Sequence, residues 1–294
     1  MNIKKVMICG GTHGNELSGV YAVKHWMEHP DKLKGHITSA KLDFLLVNQA
    51  SIDARVRYLD EDLNRQFDLQ KLAKSAGSKK LNKEQALAQT LNTRFGPKTS
   101  PQLDFIIDIH NTTSAMGPTL IVLDNDDFTR NLARFVKQAM PEANILVEDH
   151  IAYREHPYFC TLAKRSVMVE VGPQAQGALR AKAYQQTLAL TEHILRYIEL
   201  VNCNDPPTLS EVEAFRLTNE VAYPVTESGE RAAMIHPSLD GQDFKLLEKG
   251  MPCFIDFQGN DILWQDERCY PHFIGEAAYD GLGLAFASAN LCKF

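Results

Sequence analysis

Short aliphatic runs alternating with helical patterns constrain this chain more than any other feature. Lys5-Val6-Met7-Ile8-Cys9-Gly10 reads as a buried strand, and residues 16–28 come next as a helix with Val20, Val23 and Met27 on one face. Further strands are predicted at 41–47, 103–110, 119–123 and 167–171, and residues 179–201 place Tyr184, Leu188, Leu195 and Ile198 at helical spacing. This rhythm predicts an α/β fold, a sheet with helices against its faces.

The helical pattern stops at Asn202-Cys203-Asn204-Asp205-Pro206-Pro207, and strand and turn signals dominate the remainder of the chain, including Glu211-Val212-Glu213-Ala214-Phe215 and Pro252-Cys253-Phe254-Ile255-Asp256-Phe257. The expected division is therefore 1–203 for an α/β domain and 204–294 for a smaller, mainly-β domain. A length of 294 residues suits one or two globular domains. Residues 75–80 read as a solvated loop.

The sequence excludes several function classes. The formal charge is −6 and no basic stripe is visible, which argues against nucleic acid as a partner. The longest apolar run near the start is Val6-Met7-Ile8-Cys9, far short of the ~20 residues of a membrane span, so the expected location is cytoplasmic with no membrane partner. Six cysteines lie far apart with no C-x-x-C pair, which fits neither a zinc ribbon nor a disulfide scaffold; most are expected to be reduced and buried, with Cys292 exposed.

Chemistry concentrates in a few places. In Gly10-Gly11-Thr12-His13-Gly14-Asn15-Glu16 a buried strand runs into a glycine-rich turn and then a helix, the place where open α/β sheets collect functional groups. The His-x-x-Glu spacing puts His13 and Glu16 about one helical turn apart, able to share a Zn²⁺ ion. A catalytic zinc takes three protein ligands and keeps one position open, so a further histidine is required. His110 ends the apolar strand Phe105-Ile106-Ile107-Asp108-Ile109-His110, with Asp108 placed to support it. The plainer alternative is that such turns bind phosphate or only turn the chain, but the G-x-G-x-x-G and G-K-[ST] patterns are missing here.

Arg55-Val56-Arg57-Tyr58-Leu59-Asp60-Glu61-Asp62-Leu63-Asn64-Arg65 is rich in arginine within an acidic chain. Guanidinium forks match carboxylates, so an anionic substrate could be held there; equally, these arginines could pair with Asp60, Glu61 and Asp62 on a solvated loop. Glu170 lies inside Val167-Met168-Val169-Glu170-Val171, where burying a carboxylate is expensive unless it is used or paired. Desolvation would raise its pKa towards the range of a general base, whereas an edge strand would leave it in solvent.

Together these segments, with Asp62-Leu63-Asn64-Arg65, Asp108-Ile109-His110-Asn111-Thr112-Thr113-Ser114, Glu170-Val171-Gly172-Pro173-Gln174 and Gly275-Glu276-Ala277-Ala278-Tyr279, resemble the aspartoacylase family over nearly the whole chain. That family belongs to the zinc carboxypeptidase-like acylases, which include succinylglutamate desuccinylase. The resemblance implies a zinc carboxypeptidase-like mixed sheet flanked by helices, with the C-terminal domain covering the active-site cleft.

Residue by residue, it implies one Zn²⁺ per chain on His13, Glu16 and His110, Glu170 as general base, and Arg57 polarising the scissile carbonyl. It further implies Asn64 and Arg65 as a clamp on the substrate α-carboxylate, and Tyr279 as a contact to an acidic side chain. The expected reaction deacylates a small anionic N-acyl amino acid, with N-acetyl-L-aspartate, giving acetate and L-aspartate, as first choice. An aminoacylase for N-acetylated aromatic amino acids and a noncatalytic binder of acidic metabolites are the alternatives. Aspartate-selective members carry an arginine before the general-base strand, where an ungapped alignment puts Cys160; Arg154 is the expected replacement. The family commonly forms homodimers or larger assemblies, so a homo-oligomer is expected.

Overall fold

The computed structural model describes residues 2–78 and 80–294; Lys79, within the predicted loop at 75–80, lies outside them. In chain order the elements are β1 (Lys5–Gly10), α1 (Leu17–Glu28), β2 (Lys41–Leu46), α2 (Gln49–Ala54), α3 (Leu69–Ser75), α4 (Lys83–Phe95), β3 (Phe105–Asn111), β4 (Gly117–Val122), α5 (Asp127–Ala139), β5 (Asn144–Val147), β6 (Arg165–Gly172) and α6 (Ala181–Asn202). The chain continues through β7 (Glu213–Ala222), β8 (Ala233–Ile235), β9 (Pro252–Asp256), β10 (Asp261–Leu263), β11 (Tyr270–His272) and β12 (Leu284–Lys293).

Among the described residues, nine strands form one mixed sheet in the order β11-β12-β7-β5-β4-β6-β3-β1-β2. β1 pairs in parallel with β2 and β3, and β3 with β6, while β4 runs antiparallel to β6. The expected mixed sheet flanked by helices, with a β-rich C-terminal part, is the architecture observed. A second sheet of three strands, β10-β9-β8, surrounds its own apolar cluster with Phe254, Trp264 and Phe286.

Side chains alternate across a strand, and that parity assigns the apolar residues of the main sheet to two cores, one on each face. Val6 and Ile8 of β1, Ile107 and Ile109 of β3, Leu120 and Val122 of β4, and Val167, Val169 and Val171 of β6 face a core shared with Val23 and Trp26 of α1 and Leu190 and Ile194 of α6. Met7 and Cys9, Ile106, Ile121, Leu146 and Met168 face the opposite core, packed with Leu63, Phe67, Leu91, Phe95 and Phe159. Asp108, His110 and Glu170 belong by parity to this second face. The core packed on α1 and α6 thus takes apolar side chains from these strands, while the opposite face also carries the polar groups.

Two details depart from expectation. Trp26 rather than Met27 closes the buried stripe of α1, its indole joining the cluster of Leu33 and Ile37, and Met27 is exposed. Cys203 is the exposed cysteine and Cys292 is half-buried, because β12 pairs Cys292 with Ala214 of β7; the other four are buried and all six are free thiols. α6 ends at Asn202, and we propose the division of the chain just beyond it, although β7, β12 and β11 from the C-terminal part extend the main sheet. Among the described residues, no helix is long and apolar enough to cross a membrane.

Candidate metal centre and its cavity

The turn after β1 is built for close approach. A Cβ on Gly14 would lie 2.1 Å from the carbonyl carbon of Ser51, so only glycine lets this turn rest on α2. Gly11 adopts φ +71°, a left-handed conformation that costs glycine little. The turn delivers His13 and Glu16 inward, and the Gly14 N–H donates to the Arg57 carbonyl at 3.1 Å, tying the arginine-bearing loop to it. From the other side, parallel pairing of β3 with β6 places His110 beside Glu170 in register.

His13, Glu16 and His110 are buried, with ligand atoms all within 4.8 Å of one another. The Nδ1 atoms of the two imidazoles face each other at 3.3 Å, with Glu16 Oε1 2.7 Å from His13 Nδ1 and Oε2 2.9 Å from His110 Nδ1. The edges of a tetrahedron around a cation with nitrogen and oxygen ligands at ~2.0–2.1 Å measure ~3.3–3.4 Å. These three groups therefore fit a small divalent ion with little rearrangement. Behind them, His13 Nε2 lies 3.1 Å from Asp62 Oδ1, and His110 Nε2 lies 3.1 Å from Asp108 Oδ2, a charge contact not aligned as a hydrogen bond. Asp108 is itself fixed by the Thr12 hydroxyl, which donates to Oδ1 at 2.8 Å. A carboxylate behind each imidazole is the usual support of a metal-bound histidine.

The charges explain the protonation states. Burial opposes ionisation of Glu16, but the two imidazoles overrule it and hold this carboxyl well below its ordinary range. Burial also disfavours a charged His110, yet Asp108 and Glu16 raise its pKa well above normal, the response of an imidazole facing two carboxylates. Burial pushes the Glu170 carboxyl well above the ordinary range; Glu16 and Glu276 push the same way, against the pull of His110 and Arg57. Glu170 Oε1 is buried without a hydrogen-bond partner among the described residues.

The cavity, about 490 Å³ including its mouth, is lined by the triad, Glu170, Arg57, Asn64, Arg65 and Tyr279, and continues to Ile121, Met168, Phe273, Tyr158 and Glu148. Arg57 donates to Glu16 Oε1 at 2.8 Å and to Asp62 Oδ2 at 3.2 Å. The Asn64 amide oxygen accepts from the Phe159 N–H at 2.8 Å, joining two loops, and the Arg65 guanidinium stacks 5.3 Å above the Tyr158 ring. Tyr279 reaches the cavity from the C-terminal part and packs on Phe273, with ring centroids 5.4 Å apart.

Arg154 must be corrected: it does not line this cavity. Its guanidinium donates at 2.7 Å to the carbonyls of both Thr161 and Ala163, stapling its own loop. Cys160 is fully buried in the core beneath. Sequence reasoning also missed three residues. Asp62 caps the turn Leu63–Arg65 through the Asn64 N–H while supporting His13. Glu276 accepts from the Thr112 hydroxyl and from the Thr113 N–H at 2.7 Å, fastening the C-terminal part to the loop after His110. Glu148 directly follows the apolar strand β5, whereas Glu170 lies inside its own, so the signal that marked Glu170 is weaker there.

Known proteins share the sequence and the fold of this chain. The model of the succinylglutamate desuccinylase/aspartoacylase catalytic domain matches residues 2–198, and that of the AstE/AspA barrel-sandwich hybrid domain matches residues 210–290. The chain is 39% identical to aspartoacylase of Mus musculus over 98% of its own length and 93% of that protein's. It is 38% identical to N-acyl-aromatic-L-amino acid amidohydrolase (carboxylate-forming) of Homo sapiens, over 99% and 92%. The crystal structure of murine aminoacylase 3 superposes with a TM-score of 0.91 at 34% identity, covering 100% of this chain and 97% of that one. Near-equal identity to the first two leaves the choice of substrate to the cavity.

Proposed function

This chain belongs to the succinylglutamate desuccinylase/aspartoacylase family, and from that premise we propose that it is a zinc-dependent amidohydrolase cleaving N-acyl α-amino acids to a carboxylic acid and a free amino acid. The observation that carries the reading is the convergence of His13, Glu16 and His110 in one cavity with Glu170, whose Oε1 has no hydrogen-bond partner among the described residues.

Two imidazoles and one carboxylate are a donor set that suits zinc, and the three residues would hold it. When bound, zinc supplies Lewis acidity to water and to an amide carbonyl. Glu170, its proton affinity raised by burial, takes a proton from the attacking water and returns it to the departing amine nitrogen. Arg57, already beside Glu16, donates to the oxygen on which negative charge accumulates. Arg65, without a carboxylate partner among the described residues, holds the α-carboxylate with Asn64 and Tyr279 nearby. The first choice of N-acetylaspartate rests on Arg154, so the proposal here is the wider class of N-acyl amino acids.

Zinc analysis and turnover of N-acetyl amino acids test the proposal. The expected result is stoichiometric zinc and hydrolysis that a chelator abolishes and Zn²⁺ restores. Glu170→Gln should keep its zinc while kcat falls by about 10²–10⁴-fold. A protein that binds anionic metabolites identically with and without metal, and hydrolyses none of them, would instead be a noncatalytic binder.

A further inference from the structure

Two permanent cations line the cavity among its described residues, Arg57 and Arg65. Arg57 is already matched by Glu16 and Asp62, at 2.8 and 3.2 Å. Arg65 makes no ion pair among the described residues; its Nη1 donates to the Asn64 carbonyl at 3.1 Å and its plane lies over Tyr158. One unmatched guanidinium can neutralise one carboxylate, and every N-acyl amino acid brings one on its α-carbon. An acidic side chain brings a second.

The rest of the cavity runs away from the metal centre over the sheet. Glu170, Met168, Ile121 and Leu146 share one face, since Ile121 pairs with Met168 on one side and Leu146 on the other. Continuing that alternation one step past β5 puts Glu148 on the same face. By register Glu148 is level with Ser166, four residues from Glu170 and two strands across, roughly 13 Å along the sheet. The intervening wall is Met168, Ile121 and Phe273, and the far end is Glu148 with Tyr158. Glu148 is buried, Oε2 accepts from the Tyr158 hydroxyl at 3.1 Å, and the carboxylate has no ion-pair partner among the described residues. Burial raises its pKa above the ordinary carboxylate value and Glu220 adds to the rise, against the pull of Tyr158 and Arg65, so the comparison of substrates belongs at a pH where it is ionised.

Resting on the amidohydrolase reading above, we infer that Glu148 is a specificity-determining residue that rejects acidic side chains, making the substrates N-acyl amino acids whose side chains are uncharged or end in a hydrogen-bond donor. An apolar stem lies over Met168, Ile121 and Phe273, and a donor at its tip meets the Glu148 carboxylate. A second carboxylate in the same place meets like charge, and Arg65, the cation whose field reaches Glu148, is already matched by the substrate's α-carboxylate; a cavity that mismatches a polar group discriminates strongly.

N-acetyl-L-glutamine and N-acetyl-L-glutamate have the same shape and differ in the amide or carboxylate at the tip. With zinc-loaded protein at pH 8, kcat/KM for the amide should exceed that for the acid at least tenfold. Glu148→Gln should shrink that ratio at least fivefold, chiefly by raising kcat/KM for the acid; Glu148→Ser provides the same reading if the glutamine variant is insoluble. Preference of the wild type for the acid, or a ratio unmoved by both substitutions, overturns the inference and leaves the amidohydrolase reading standing. Hydrolysis of neither compound, nor of any other N-acetyl amino acid, overturns both.

Discussion

Asp62 shows how much one side chain settles in this cavity. Its Oδ1 faces His13 Nε2 at 3.1 Å and accepts from the Asn64 N–H at 2.8 Å, while Oδ2 accepts from Arg57 at 3.2 Å. Burial opposes its charge, but His13, Arg57 and Arg65 hold it ionised far below the usual carboxylate range. Asp62→Asn keeps the shape and removes the charge. The expected outcome is zinc affinity lower by about 10–100-fold, the usual cost of losing a group that orients a metal-bound histidine. Competition with a chromophoric chelator measures it, and unchanged affinity would assign Asp62 to loop capping alone. At this scale the sequence is legible where a polar residue interrupts an apolar strand, as at His110 and Glu170, because burying it unused is costly. Glu148 carries little weight in sequence alone, since it lies just past a strand end, where a carboxylate commonly meets solvent. Arg154 is illegible for another reason: whether a guanidinium enters a cavity or staples its own loop depends on where backbone carbonyls are left unpaired, and spacing does not encode that.

The turn between β1 and α1 is the element on which the centre depends, since two of its three groups ride on it. Gly14 touches the Ser51 backbone, so Gly14→Ala must push the turn off α2. Overpacking of this kind costs about 1–3 kcal/mol, and here it also displaces His13. The variant is expected to melt lower than wild type when both are chelated, and to bind zinc substoichiometrically; wild-type melting with full zinc would show that the contact relaxes freely. Among the elements, β1, β2, β3 and β6 are legible because apolar runs of strand length end at glycine or polar turns. α4 is harder: it is polar over most of its surface and its start is announced mainly by the Asn82 and Gln85 capping box. β12, Leu-Ala-Phe-Ala-Ser-Ala-Asn-Leu-Cys-Lys, is rich in small residues with little intrinsic strand preference. Its ten residues form a strand because β7 offers a partner along almost its whole length, a long-range fact absent from the local pattern.

Across the whole molecule, the catalytic face is completed only when the C-terminal part closes over it, bringing Phe273, Glu276 and Tyr279 to the cavity. Asp243 is one of the fastenings: its carboxylate accepts from the Ala115 N–H at 3.1 Å, in the loop before β4, and from the Ile274 N–H at 3.1 Å, beside Phe273. Burial raises its pKa to about 6 from the ordinary 3.8, with Glu276 adding to the rise and the backbone N–H groups opposing it. The folded state therefore binds this proton more tightly than the unfolded state. Asp243 favours folding most below pH 3.8, and that contribution is lost as pH rises through about 6. Two pKa units correspond to on the order of 3 kcal/mol, of which roughly 2 kcal/mol falls between pH 4.5 and 7.5. Asp243→Asn gives up part of the fastening at every pH but does not titrate. In urea unfolding of chelated protein, the stability of the wild type relative to this variant should therefore fall by roughly 2 kcal/mol from pH 4.5 to 7.5. Taking the difference cancels the titration of Glu16, Asp62 and the other carboxylates common to both proteins. A constant difference across that range would mean that Asp243 keeps an ordinary pKa, and that its two N–H contacts fasten the C-terminal part without storing a proton.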